Sequence, residues 1–374
     1  MFGSELTLLL MMGPVVPVPA PRAVMDALTE VQVTASASSP GGFQLTLTAA
    51  RTSPIHQVLL PTGFLDPGLR VVITVVVRGV PTVLVDGVLT RQDVAPAEEA
   101  GASTVTLTGE DLTLLMDLAV RRDCYPGLSA NARVAAVCAR YAVHGVVPAP
   151  VPPLQPDIPN PAVDIPVQSS TDLAYVRGLA RDVGYVFHLE PGPTPGTSIA
   201  YWGPEVRVGV PQPALTVGSD TVSNVESLSF GYDGTSAQQL SVTVTEPFTK
   251  RAIPVPIPDV GLLRPPLAAR PARRLREGPL PDTAGLSTVQ AALLGLARTA
   301  EADDAVSGSG SVDVLRYGHV LRARRLVGVR GAGLAYDGLY YVRSVTSTLR
   351  RGGFTQSFSL ARDGVVANVP RVPA

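Results

Sequence analysis

The chain has 374 residues, enough for two or three domains with substantial cores, and its formal net charge of −1 offers no global attraction to nucleic acid or membrane. Hydrophobic residues make up 45% and charged residues only 16%, which is apolar for a free monomer and predicts that part of the surface faces other subunits. The only cysteines, Cys124 and Cys138, lie outside any CxxC pattern, so neither a disulfide framework nor a zinc site is indicated.

At the start, an apolar run over residues 6–12 follows MFGSE, which has no Lys or Arg and includes Glu5. It fails the charge test for a secretory leader and is too short to span a membrane, so a packing strand in a cytoplasmic, unprocessed chain is expected. Residues 1–117 alternate turns with the strand candidates VQVTASAS, GFQLTLTA, LRVVITVVVRG, TVLVDGVLTRQDV and TVTLTGEDL. Period-two patterning around Gly79 to Pro81 marks a hairpin, and the block reads as a β-barrel or sandwich.

Residues 118–204 change period. Ser129 can cap a helix running to Tyr141, with Gly145 just beyond; Val134, Val137, Cys138 and Tyr141 share its apolar side, so Cys138 reads as a buried, inert thiol. The proline-dense stretch 146–167 reads as an extended surface loop. A second helix, 171–183, repeats Leu173, Val176, Leu179, Ala180 and Val183 at steps of three and four, with Ser170 or Thr171 capping it and Gly184 ending it. Residues 185–189 and SIAYWG then form paired strands, completing a small α+β module.

Residues 205–374 return to strands, VSNVESLSFGYD and AQQLSVTVTEP, before an insertion at 247–286 that holds nine prolines and seven basic residues. Lys250, Arg251, Arg270, Arg273, Arg274 and Arg276 there suit either a strap onto an acidic neighbouring subunit or a plain solvated loop. With Phe248 as its only aromatic, the segment lacks the stacking residues a nucleic-acid site needs. A helix over 287–303 and a strand at GSVDVLRYG follow.

Chemistry is scarce along the chain. His56, His144, His188 and His319 are scattered without metal-ligand spacing, and no GxSxG elbow exists. GSGSVD at 308–313 and RGAGLAY at 330–336 read as turns flanking strands. Glu301, Asp303 and Asp304 could form an acid/base pair only across a cleft, and their clustering instead suggests an exposed helix end. Glu110, Asp111 and Asp117 suit turns and caps, and Tyr340, Tyr341, Phe354, Phe358 and Trp202 suit packing rather than a carbohydrate platform. No catalytic, cofactor-binding or metal-binding residue is assigned, and no cofactor is expected.

The closing run, residues 316–364, describes a sheet. Residues 339–349 read as a strand, Arg350 to Gly353 as a turn, and 354–360 as the return strand with Phe354, Gln356, Phe358 and Leu360 on one face. Its order of Gly318, Asp337, Gly338, Tyr340, Tyr341, Gly353, Phe354, Gln356, Phe358, Arg362 and Gly364 resembles the C-terminal signature of the phage late control D proteins. These are the central baseplate hubs of contractile tails and contractile injection systems, related to the hub part of type VI spike proteins. Residues 169–192 resemble their mid-chain helix-then-strand unit, and ELTLLLMMGPVVPVPAPRAVMDALTEVQVTAS with GFQLTLT is a weaker match to their opening.

The resemblance implies a mainly β fold with a small α+β module and two tube-like β-barrel domains in one chain: 1–117, the module at 118–204, and 205–374 with its 247–286 insertion. It further implies a homotrimer whose six barrels match the hexameric inner tube (or its initiator protein) on one side and a trimeric spike on the other. Baseplate wedge or adaptor proteins would be further partners, with no nucleic acid and no membrane insertion, and the spike is expected on a separate polypeptide. The particle would assemble in the cytoplasm and end as part of a phage tail or tail-like machine. Two other classes stay open on the residues alone: a tail-associated cell-wall hydrolase and a stand-alone β-rich carbohydrate- or peptide-binding module.

Overall fold

A computed structural model of the chain describes residues 6–96, 102–153, 158–163, 165–218, 223–236, 238–245, 252–255, 264–279, 291, 294–295 and 304–368. Alternating apolar residues in the first part form β1 (Leu6–Gly13), the short β2 (Val18–Pro19), β3 (Leu28–Ser36), β4 (Gly42–Ala50), β5 (Arg70–Val77), β6 (Val80–Ala95) and β7 (Ala102–Asp111). In β1 and β4 buried and more exposed side chains alternate, whereas almost every side chain of β5 is buried, as its unbroken RVVITVVV run requires.

This first sheet is strongly curled. Its order is β3-β4-β7-β6-β5-β1-β2, yet β3 approaches β6, three strands away, to within 8 Å between Cα atoms, where a flat sheet would hold them about 14 Å apart. The concave side buries Leu8, Leu10, Val31, Leu45, Leu47, Ile73, Val75 and Leu107 in one core. Each such side chain contributes about 1.5–3 kcal/mol by leaving water.

The middle of the chain supplies β8 (Asp123–Cys124), β9 (Val146–Pro150), β10 (Val167–Gln168), β11 (Val186–Pro191) and β12 (Ser198–Gly203), with helices Ala130–Ala139 and Asp172–Asp182. Both helices match the periodicity; Thr171 Oγ1 accepts from the Ala174 N–H at the second, and Gly145 and Gly184 take left-handed φ of 73° and 69° after the turns. Trp202 is fully buried between them and donates to the Val176 carbonyl at 3.3 Å. One expectation fails here. The start of the proline-dense stretch, Val146–Pro150, is a strand paired in parallel with β12. It lies at the edge of its three-stranded sheet, where Pro148 and Pro150 can lack an N–H without breaking a ladder on both sides.

The last part supplies β13 (Gln212–Thr216), β14 (Ser227–Tyr232), β15 (Gln238–Thr245), β16 (Ala252–Val255), β17 (Ala268–Pro271), β18 (Arg276–Pro279), β19 (Val306–Asp313), β20 (Leu326–Arg330), β21 (Gly338–Arg350), β22 (Gly353–Arg362) and β23 (Gly364–Ala367). The hairpin β21–β22 stands where the sequence placed it, and Phe354, Gln356, Phe358 and Leu360 are all buried. Two expectations change. GSGSVD lies inside β19 and is no turn: a Cβ on Gly310 would come within 2.2 Å of the Ser227 carbonyl and 2.8 Å of the Phe358 ring, so glycine is what admits the neighbouring strand and ring. VLRY leaves the strand as a one-turn helix, Val314–Tyr317, started by the Asp313 carboxylate and ended by Gly318 at φ 82°. Of the helix expected over 287–303, only residues 291, 294 and 295 lie within the described part, and those are helical.

The chain is mainly β with a small α+β module, as expected. The two β regions are not separate, however. The first half of β21 pairs with β20; past a register shift at Arg343, its second half pairs with β3, from Ser344 opposite Ser36 to Arg350 opposite Glu30. One sheet of thirteen strands therefore runs through both regions, with β14 and β2 at the ends of its main path and no closure by hydrogen bonds among the described residues.

Candidate assembly surface

Register pairing builds a polar carpet across seven adjacent strands, β14, β19, β22, β21, β3, β4 and β7. One row reads Ser227, Ser311, Ser357, Thr346 and Thr34; the next reads Ser229, Ser309, Ser359 and Ser344; a third reads Thr355, Thr348, Gln32, Gln44 and Thr108. Thr46 and Thr106 continue it beside Glu30. These side chains are exposed or half-buried, while most of their alternate neighbours are buried and those in β14 half-buried. Hydroxyl groups bond across strands: Thr34 with Thr346 at 3.1 Å, Ser344 with Ser359 at 2.6 Å, Ser227 with Ser311 and Ser229 with Ser309 at 3.0 Å. Charges are few and mostly answered. Arg350 pairs with Glu30 at 3.0 Å, and Asp313 accepts from the Leu315 and Arg316 N–H groups.

The signature residues lie on the other side of this sheet and hold it internally. Gln356, 1% exposed, accepts from the Leu321 N–H at 2.8 Å and donates to the Leu321 carbonyl and to Ser347. Arg362 is fully buried with its guanidinium 4.4 Å over the Tyr340 ring, donating to the carbonyls of Gly364, Asp337 and Ala335. A Cβ on Gly338 would come within 2.6 Å of the Ala367 Cβ and 3.1 Å of that guanidinium, so glycine at φ 126° admits both neighbours. The pattern legible in the sequence thus serves as a folding device.

The fold holds two buried arginine–carboxylate centres, the first of which fastens the module to the sheet. Arg70 and Asp86 pair through two bonds of 2.7 and 2.8 Å, and Arg70 also donates to the carbonyls of Val15, His144 and Gly196, tying β5 to the module. At the other centre, Asp304 accepts from Arg207 at 2.5 and 2.6 Å and from Arg343 at 2.7 Å, while Arg264 lies 3.5 Å away and pairs with Glu205 at 2.6 Å. Arg207 also stacks 4.4 Å over Tyr341. Burial alone raises the Asp304 pKa, but the Arg207 bonds and charge, with Arg264 and Arg343, hold it at about 2. The expectation of a solvated acidic helix end is therefore wrong for Asp304, which is buried; Glu301 and Asp303 lie outside the described residues.

The remaining candidates stand apart from one another. Among the described residues no group of His, Cys, Asp and Glu has the geometry of a metal site. His188, packed against Tyr201, has its pKa pushed down to about 3 by burial and by Arg324 and Arg325. The Cys138 thiol is buried and pushed up to about 12 by desolvation, then by Asp172, while Cys124 is exposed. Asp111 accepts from the Thr113 and Gly41 N–H groups, the turn role its position suggested. In the basic insertion, β17 pairs with β23 and β18 with β15; Arg270, Arg273 and Arg276 are exposed, and Lys250 and Arg251 lie outside the described residues. No helix among the described residues is long and apolar enough to cross a membrane.

No protein-family model matches the sequence, and no curated protein matches it. Solved structures do match the fold. A tail protein from Neisseria meningitidis MC58 superposes over 97% of this chain and 98% of its own, with a TM-score of 0.64 at 14% identity. The 43 kDa tail protein of prophage MuSo2 from Shewanella oneidensis covers 96% and 100%, with a TM-score of 0.63 at 15% identity. An E. coli component of the type VI secretion system, described as structurally similar to T4 bacteriophage tail proteins, covers 93% and 76%, with a TM-score of 0.54 at 12% identity. This chain shares the mainly β fold of these tail proteins.

Proposed function

We propose that the chain is a structural baseplate hub of a contractile tail or tail-like injection system, three copies of which form a ring with pseudo-six-fold symmetry. The observation that carries this reading is the neutral hydroxyl carpet that crosses both β regions without interruption. A channel wall must be wetted yet offer nothing for a passing chain to grip. Short Ser and Thr side chains meet both needs, because they satisfy one another and present neither a field nor a greasy patch. In the ring the carpet faces the axis, and residues 1–117 and 205–374 supply the two tube-like units of each copy. The module at 118–204 sits outside. The fold shared with tail proteins of two prophage or bacterial sources supports the same reading.

On this reading the ring joins the hexameric inner tube, or its initiator, to a trimeric spike, with wedge or adaptor proteins around it. Its work is mechanical and it makes or breaks no bond. Light scattering on the purified chain is expected to give the mass of a trimer, and top views by electron microscopy a ring. A gold label on T346C in a C124S background should decorate the pore. A strictly monomeric chain at tens of micromolar, or label on the outer rim, would overturn the proposal.

A further inference from the structure

Between helix Asp172–Asp182 of the module and the Asp304 centre lies a cleft of about 720 Å³, bounded also by Tyr185, Phe187 and Ala37. That volume falls in the range of ligand sites and far exceeds what one ion or a few waters need. Arg177 and Arg181, one turn apart on the helix, form one bank; Arg207, Arg264 and Arg343 form the other. Against these five cations the cleft sets Asp117, Glu205 and Asp304. The last two are already bonded on the far bank, and Asp117 accepts from Thr171 Oγ1 at 2.6 Å. Among the described residues Arg177 and Arg181 make no ion pair, and Arg343, which lines the cleft and bonds Asp304 through one nitrogen, keeps a side chain that is 51% exposed.

We propose that this cleft binds an acidic polypeptide segment of a neighbouring protein, its carboxylates held between Arg177, Arg181 and Arg343. Arginine forks on two facing banks suit carboxylates arrayed along an extended strand, and the apolar floor of Tyr185, Phe187 and Ala37 suits the backbone between them. A polypeptide is favoured over nucleic acid because the described lining offers no exposed stack of rings, and the chain as a whole carries a net charge of −1. The site stands apart from the hub reading, since it is complete within one copy and would survive if the ring did not form.

Fluorescein-labelled hexaglutamate titrated onto the full chain at about 50 mM salt, where screening is weak, tests the site. Binding is expected by anisotropy, hexaglutamine should show none, and R177E/R181E should weaken hexaglutamate by at least about tenfold. R177Q/R181Q adds no charge and gives the same readout should the reversal disturb folding. R51E/R316E changes as much charge outside the cleft and should leave the affinity within about twofold. Equal loss in both charge-reversed pairs, no binding by the parent chain, or tighter binding of hexathymidylate than of hexaglutamate would each overturn the proposal.

Discussion

The two buried arginine–carboxylate centres use the same chemistry to opposite electrostatic effect. Asp86 has one arginine, and burial outweighs the hydrogen bond and charge of Arg70, so its pKa is raised. Asp304 has three arginines within 4 Å, and they overcome a comparable burial to depress it to about 2. The number of cations around a buried acid, and not burial itself, decides which way its pKa moves here. The sign for stability follows. Asp304 stabilises the fold above its unfolded value of about 3.9, and that contribution is lost as pH falls towards 2. Asp86, raised in the fold, contributes at low pH and loses that contribution as pH rises through its folded value.

The largest effect should come from breaking the single pair. R70L strands Asp86 and three carbonyls and is expected to cost about 3–5 kcal/mol in urea unfolding, with R70L/D86L recovering much of it. D304N should cost less, about 3 kcal/mol, because Arg264 keeps Glu205 and Arg343 can turn to water. The same variant sharpens the contrast in pH: between about pH 4 and 2 its urea midpoint should fall less steeply than that of the parent chain. An unchanged slope would show that Asp304 is not the depressed acid. G310A probes packing without charge and should cost about 1–3 kcal/mol, since a methyl group there meets the Ser227 carbonyl. Smallest of all, T346A and S357A on the carpet should change monomer stability by under about 0.5 kcal/mol, so that any effect they have on ring assembly reads separately.

Much of this architecture was legible because period-two patterning is local. The Phe354 to Leu360 alternation, the caps at Thr171 and Gly184 and the apolar steps of Leu173, Val176 and Leu179 each announce an element within a few residues. What stayed hidden depends on partners far along the chain. Nothing near Thr34 says that it bonds to Thr346, and nothing near Asp304 says that Arg207 and Arg343 will surround it. Glycines in β19 misled for the same reason: their cause is a ring and a strand brought in from elsewhere. The hydroxyl carpet was likewise written into alternate positions of seven strands, but only the register, from Ser227 across to Thr108, turns scattered Ser and Thr into one surface.

Strand β21 has a further consequence. Seven of its residues pair with β3, so force that slides one half of the molecule past the other along the strands pulls on that whole ladder at once, whereas force that pries them apart meets the bonds singly. A body sewn together in this way yields far more readily to sideways peeling than to a thrust directed along those strands.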